Sequence, residues 1–351
     1  FLGSAKTTAI RQACLELKDR GVPVAVITND QGEQLVDSEY IRHVGIPVLE
    51  VTNGCFCCNY SKLEENIQTL SNHFYPRIIF AEVVGSCTDL VATITRPLAK
   101  FHPEIPVVLS VFADATLLWT LMNGDSCFLD DSVQYIYKKQ LEEADIIVVN
   151  KSDLLSEPEL EKVTQILKSD YPGKDIIIQN SLQKNDIQDW IEDLENFVPP
   201  QRKALTIDYD VYGEGEKRLA WLDKEIMIRT SDNSAGMVSE ALISHIYARI
   251  NAAALPIGHI KFFIDDGTQQ KKISYTTRNQ HGPMPLNLPL NACDVSMLIN
   301  ARVQADPAML EAIIDEAENE IAERTGSTIL VKKLAPFQPG YPTPTHRMAD
   351  N

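Results

Sequence analysis

The sequence predicts a doubly wound α/β domain with a mostly parallel sheet, followed by a smaller α+β domain. Two observations carry this. Over the first two hundred residues, short Val- and Ile-rich runs alternate with stretches of helical period, and the runs barely alternate polar with apolar, as strands buried on both faces do. Beyond the Pro199-Pro200 break the rhythm changes to strand–helix–strand–strand, then strand–helix–strand.

Within the first part the expected strands are 22–28, 47–51, 77–83, 106–112, 146–150 and 176–179. The expected helices are 9–20, 63–74, 90–101, 157–169 and 186–197, the first closed by Gly21 as a helix C-cap. In the second part, strands fit 218–229, 259–264, 271–277, 295–304 and 328–334. Helices fit 237–253 and 307–324, the latter opening on Pro307 in its first turn. The implied boundaries are a domain over 1–198, a linker over 199–204, an α+β domain over 205–334 and a tail over 335–351. With Pro336, Pro339, Pro342 and Pro344, the tail is expected to be extended and mobile.

The 351 residues suffice for two ordinary domains, and 44% hydrophobic with 23% charged residues is the balance of a globular chain. A net charge of -17 argues against nucleic acid as the partner, because phosphate backbones need clustered Lys and Arg. No secretory signal is seen. The most apolar stretch, 105–122, has Asp114 at its centre, which a membrane span would not tolerate. Seven cysteines, an odd number with three crowded together, fit a reducing cytoplasm and metal or reactive thiols rather than a disulfide framework. The chain opens on Phe1 with residues that already look functional, so a preceding segment is expected.

The opening Phe1-Leu2-Gly3-Ser4-Ala5-Lys6-Thr7-Thr8 runs straight into a helix and resembles a P-loop. In such a loop the backbone N–H groups of Gly3, Ser4, Ala5 and their neighbours wrap phosphates. Lys6 would reach the β- and γ-phosphates, and Thr7 would place its hydroxyl on Mg²⁺. Two positions depart from the pattern: its first Gly would precede Phe1, and Ala5 stands where Gly normally precedes the Lys. If that position needs positive φ, the methyl costs roughly 1 kcal/mol; if not, little. Alone, the segment could equally be a helix start with a chance Lys-Thr.

Asn150-Lys151-Ser152-Asp153 directly follows a buried strand and has the NKxD pattern of guanine recognition. The Asp153 carboxylate can accept both N–H groups on guanine N1 and N2, whereas adenine would leave it unpaired in a closed site. Lys151 can lie along the base and Asn150 can brace the loop. Asn53-Gly54-Cys55-Phe56-Cys57-Cys58 puts three thiols on one short segment, a set that suits Zn²⁺ or a similar thiophilic ion. A fourth ligand must come from elsewhere, with Glu33, Glu64, Glu65, His73 and Cys87 as candidates, or from water. Inert buried cysteine is the alternative. Glu82-Val83-Val84-Gly85 ends a strand, so Glu82 could reach Mg²⁺ through water or orient an attacking water, and Gly85 could let backbone approach a γ-phosphate. Asn29-Asp30-Gln31-Gly32-Glu33 is placed as a switch loop.

Taken in order, FLGSAKTT, NDQGE, GCFCC, EVVG and NKSD resemble the CobW-type P-loop GTPases, relatives of the nickel-insertion GTPases for urease and hydrogenase. Gln140 and Ala144-Asp145 fit the same pattern, and the resemblance covers about residues 1 to 200. It implies a GTPase that uses GTP, GDP and Mg²⁺ and couples nucleotide state to binding or delivery of Zn²⁺ or Co²⁺. The implied partners are a guanine nucleotide, a transition metal and a client metalloprotein, with a homo-oligomer left open and no nucleic acid or membrane. By match, Lys6, Thr7, Asn150, Lys151 and Asp153 serve the nucleotide and Cys55, Cys57 and Cys58 the metal, with Glu33 and Glu82 coupling them. The departures are Val83-Val84 in place of Thr-Thr, and Ser86-Cys87-Thr88-Asp89 where Leu-Ala-Asp-Pro is common, which brings Cys87 near the site. A chain lacking the expected leading segment should bind GTP more weakly than one extended by it. Two other functions compete: a nucleotide-binding interaction module with little hydrolysis, and a thiol redox sensor. A zinc nucleobase deaminase is disfavoured, because no His-x-Glu pairs with a later Pro-Cys-x-x-Cys.

Overall fold

The computed structural model describes residues 1–29, 36–52, 54–124, 130–276 and 291–350. In chain order the elements are α1 (Lys6–Asp19), β1 (Val24–Asn29), α2 (Val36–Arg42), β2 (Val48–Val51), α3 (Tyr60–Phe74), β3 (Ile78–Glu82), a π-helical turn (Val91–Thr95) running into α4 (Arg96–Phe101), β4 (Ser110–Asp114), α5 (Ala115–Met122), α6 (Asp131–Glu143) and β5 (Ile146–Asn150). A 3₁₀ turn (Ser152–Leu154), α7 (Glu157–Asp170), β6 (Asp175–Gln179), α8 (Lys184–Asn196) and α9 (Tyr209–Lys217) follow. The rest is β7 (Ala220–Arg229), α10 (Ala235–Ala252), β8 (Ile257–Asp265), β9 (Gln270–Tyr275), β10 (Asp294–Val303), α11 (Pro307–Thr325) and β11 (Thr328–Phe337).

The described residues of Phe1–Gln31, Asp37–Gly215 and Tyr341–Asn351 form one compact unit, and those of Gly32–Val36 and Glu216–Gly340 a second. In the first, two three-stranded parallel sheets, β2-β1-β3 and β4-β5-β6, carry the α/β architecture. β1 and β5 are buried along their whole length, which explains their unbroken Val and Ile runs. Their side chains pack with α1 and α8 into one core that includes Leu17, Val26, Phe112, Val148 and Trp190. Because every strand is parallel, the loops at the strand C-termini gather at one edge, the place where doubly wound sheets bind ligands.

The second unit is an antiparallel sheet of order β11-β7-β10-β8-β9. Alternate residues of β7, β8 and β10 pack with α10 and α11 into an apolar core. Lys224 is an exception in this layer: it is buried and donates to Asp315 (2.5 Å) and Glu318 (2.7 Å) of α11. On the opposite face, the Arg302 guanidinium lies 3.9 Å from the Trp221 ring centroid and donates to Asp223 (2.8 Å).

The tail departs from expectation. β11 runs on to Phe337, and instead of standing free, residues 343–350 are hydrogen-bonded to the first unit, through Thr345, Arg347, Met348 and Asp350. Proline directs the segment along an extended path but does not prevent its exposed backbone from pairing. Among the described residues no helix is long and apolar enough to cross a membrane.

Candidate functional site

The loop from Phe1 to Ala5 wraps the N-terminus of α1. Ser4 Oγ and Lys6 Nζ both donate to the Phe1 carbonyl (2.8 Å each), and the Phe1 nitrogen donates to Phe112 O of β4 (2.9 Å). Gly3 and Ala5 both take left-handed backbone, φ 71° and φ 60°. The condition left open by the sequence is therefore resolved: the position occupied by Ala5 needs positive φ, and its methyl carries strain. Thr7 is buried and donates to Glu82 Oε1 (2.9 Å). This hydroxyl and carboxylate, brought together from α1 and the end of β3, suit a hard cation with oxygen ligands. Thr8 follows on the same first turn, half-buried.

Gly85 packs closely against the loop that opens the chain. A Cβ there would stand 2.9 Å from the backbone nitrogen and Cα of Leu2, so the missing side chain lets the segment after β3 press against the phosphate-type loop. Gln140 of α6 holds that segment from the other side, donating to the carbonyls of Gly85 (3.0 Å) and Cys87 (2.7 Å). One cavity runs from Phe1 and Lys6 past Val84 and Gly85 to Cys87 and Gln140.

On the second sheet, Asn150 ties three segments together. Its Nδ2 donates to Ser4 O (2.7 Å), and its Oδ1 accepts from Ser181 N (3.1 Å) and Ser181 Oγ (2.8 Å). Lys151, at φ 60°, donates to Asp114 Oδ2 (2.7 Å). Asp114 in turn caps α5 by accepting from the Thr116 and Leu117 amides. Asp153, in the 3₁₀ turn, is exposed, with its carboxylate in solvent. Asp114 and Ser181 were not singled out from the sequence as site residues. The available signal was position: each lies at or just past the C-terminal end of a parallel strand, β4 and β6.

The thiol loop follows β2. Asn29, at the end of β1, braces it from within: Nδ2 donates to Val51 O (2.9 Å) and Gly54 O (2.7 Å), while Oδ1 accepts from Phe56 N (2.9 Å). Gly54 sits at φ 144°, and a Cβ there would stand 2.5 Å from Asn59 Nδ2. Turn bonds from Cys58 N and Asn59 N to Cys55 O close the loop into α3. The Cys55 sulfur consequently lies 2.8 Å from that of Cys57 and 3.2 Å from that of Cys58, with 3.9 Å between the last two. Among the described residues these are the one group of three metal-type ligands whose donor atoms fall within 4.8 Å of one another. Hydrogen bonds from the Cys57, Cys58 and Cys87 thiols stabilise the Cys55 thiolate and hold its pKa below the ordinary thiol value. Cys57, sharing those protons, is pushed up, with burial adding to the effect.

Of the candidate fourth ligands, Cys87 is near enough to influence the ionisation of Cys55 and Cys57 but lies outside the group of three whose donor atoms fall within 4.8 Å of one another. The others are engaged elsewhere: Glu64 with His102 (2.6 Å), Glu65 with Lys62 (3.0 Å) and His73 with Thr69 O (2.9 Å). Glu33, Asn53 and residues 30–32 of the switch segment lie outside the described residues.

The nucleotide-binding domain of the CobW/HypB/UreG family matches residues 1–178. Zinc chaperone YeiR of Escherichia coli K12 is 30% identical over 168 residues, 47% of this chain and 48% of that protein. Zinc chaperone YjiA of the same strain is 30% identical over 169 residues, 45% and 49% respectively. The chain thus spans about half the length of these relatives. Among solved structures, the hydrogenase maturation factor HypB of Archaeoglobus fulgidus aligns with a TM-score of 0.40 at 19% identity, covering 55% of this chain and 84% of that one. With the profile covering half of the sequence and the loop, the NKSD turn and the thiol segment all standing within it, the chain belongs to the CobW/HypB/UreG nucleotide-binding family.

Proposed function

We propose that this chain is a GTP-binding and GTP-hydrolysing metallochaperone that couples nucleotide state to binding and transfer of Zn²⁺ or Co²⁺. The observation that carries the reading is the continuity of the segment Glu82–Cys87. At one end Glu82 meets Thr7, at its middle Gly85 presses on Leu2, and at the other end Cys87 lies near enough to the clustered thiols to influence their ionisation. A change at the phosphate end of a nucleotide would therefore move a thiol five residues away. This gives coupling a physical route independent of Glu33.

In this reading the loop amides of Gly3, Ser4 and Ala5, with Lys6, Thr7 and Thr8, hold the phosphates, and Asp153 selects guanine. Asn150 and Lys151 keep the turn in place through Ser4, Ser181 and Asp114. Mg²⁺, held by Thr7 and through water by Glu82, would neutralise phosphate charge during hydrolysis. Cys55, Cys57 and Cys58 hold the cargo ion, and Cys87 supplies a fourth thiolate. A client that receives the metal belongs to the same proposal by likeness to the zinc chaperones.

The test is titration of Zn²⁺ and Co²⁺ into wild type and Cys57→Ser in the nucleotide-free, GDP and non-hydrolysable GTP states, alongside single-turnover GTP hydrolysis. Metal affinity should differ between the GDP and GTP states by at least about fivefold, with GTP affinity shifting by the same factor on metal binding. Cys57→Ser should lose tight metal binding and keep its GDP affinity. Identical metal affinity in all three states would leave a static structural site and remove the chaperone mechanism.

A further inference from the structure

The tail that was expected to be mobile is laid across the thiol loop. The Thr345 amide donates to Cys57 O (2.8 Å), and Thr345 Oγ1 donates to Cys58 O (2.9 Å). One residue on, the His346 ring sits edge-on to Tyr60 (centroids 5.0 Å apart) and against Phe101 (5.5 Å). Arg347 Nε then donates to Asp89 Oδ2 (2.7 Å), and the Met348 amide donates to Ala92 O (2.8 Å), with Arg96 reaching back to Met348 O (2.9 Å). The same few residues thus bind both thiol-bearing segments: the Cys55–Cys58 loop, and the stretch that begins at Cys87.

The two kinds of contact differ in strength. Residues 343–348 alternate between exposed (Thr343, Thr345, Arg347) and half-buried (Pro344, His346, Met348) with none fully buried, so this stretch is of the type that opens locally without the core unfolding. Asp89 opposes that opening. It is fully buried, and its Oδ2 takes hydrogen bonds from Tyr209 Oη (2.8 Å) and Arg347. Withdrawing Arg347 strips a buried carboxylate of its cationic partner, which holds the tail down as a latch. Meanwhile Cys55 and Cys57 are 5% and 3% exposed, so an incoming ligand cannot reach their sulfurs while the loop is clamped.

Resting on the metal-binding reading above, we propose that residues 343–348 are a strap that holds the thiol loop closed, and that metal exchange requires the strap to lift, with Arg347–Asp89 as its latch.

Three forms of the full chain test this: Thr345→Pro, which removes the amide that reaches Cys57; Arg347→Ala, which removes the latch; and Arg347→Lys, which keeps the charge. Two readouts are used. The first is iodoacetamide labelling of Cys57 and Cys58 in metal-free protein, followed by peptide mass spectrometry. The second is Zn²⁺ transfer from loaded protein to a chromogenic chelator. Thr345→Pro and Arg347→Ala should label and release Zn²⁺ at least about tenfold faster than wild type, Arg347→Lys should lie between, and GDP affinity should stay within about twofold. Hydrogen exchange of the 343–348 amides reports whether the strap has lifted, and a chain stopped after Gly340 lifts it outright. Wild-type labelling rates in a form whose strap amides are unprotected, or in the shortened chain, would overturn the proposal. If wild type takes up no Zn²⁺, the chaperone reading fails, while the labelling arm still decides the strap.

Discussion

Replacing Ala5 by glycine should stabilise the first unit. Ala5 sits at φ 60° and ψ 32° immediately before α1, and its carbonyl accepts the first helical bond, from Ala9 N at 3.1 Å. A residue with a Cβ in this left-handed region is disfavoured by about 1–2 kcal/mol, and glycine removes that penalty. Glycine also gives the unfolded chain more freedom, which takes back about 0.4–1 kcal/mol. The net expectation is a gain of about 0.5–1 kcal/mol, or about 1–4 °C in the melting of a unit of this size. Nucleotide affinity responds differently. If the loop keeps the same backbone with and without phosphates, the strain is common to both states and cancels, so the GDP Kd should move by less than about threefold. The assay pairs calorimetric unfolding with fluorescent-GDP titration of wild type and Ala5→Gly. Ala13→Gly, inside right-handed α1 and fully buried, is the control that should lower stability instead. A destabilised Ala5→Gly, or one that binds GDP more than about tenfold tighter, would refute the reasoning, because the loop would then leave the left-handed state in one of the two forms.

Asp153→Asn should weaken GTP at least about tenfold, near 1.4 kcal/mol, and favour xanthine over guanine nucleotide, as competition titrations would show; equal binding of ATP and GTP by wild type would sink the guanine assignment. Burial pushes the Glu143 carboxyl up to about 7, against hydrogen bonds from Val91 N and Thr88 Oγ1. A carboxyl whose folded pKa is raised favours folding below its unfolded pKa and loses that advantage as pH climbs toward 7. Stability should thus fall by up to about 3 kcal/mol between pH 4.5 and pH 7.5, and Glu143→Gln should flatten the profile in urea unfolding. Lys224→Met should destabilise the second unit by about 3 kcal/mol, because Glu318 is left buried without its cation, and should leave GDP affinity unchanged. A fall in GDP binding in that variant would refute this expectation.

Much of this was legible in the residues. β5 was read at its observed bounds, Ile146–Asn150, because a parallel strand buried on both faces declares itself by an unbroken apolar run ending at a polar turn. The second unit's five strands and two long helices were also read in order, since alternation and the Pro307 helix start are local signals. What escaped was decided by distant partners. α9 has two glycines and a charged face and shows no helical pattern, yet Tyr212 Oη accepts from Thr88 N (3.3 Å) and fixes it in place. Asp114 read as a lone carboxylate in an apolar stretch, because its partner Lys151 is 37 residues away. The left-handed state of Ala5 could be stated from sequence only as a condition. Gly85 packs against Leu2, a neighbour that no spacing rule supplies.

The two parallel sheets of the first unit share no strand pairing among the described residues, and they present different sets of candidate site residues. β2-β1-β3 presents the thiol loop, Asn29 and Glu82, while β4-β5-β6 presents Asp114, the NKSD turn and Ser181. The loop from Phe1 to Thr7 is bonded to both: to β4 through Phe112 and to β3 through Glu82. Under the proposed function, substitutions around the thiol loop of one sheet would alter the metal site while leaving the strand ends that present the NKSD turn on the other unchanged.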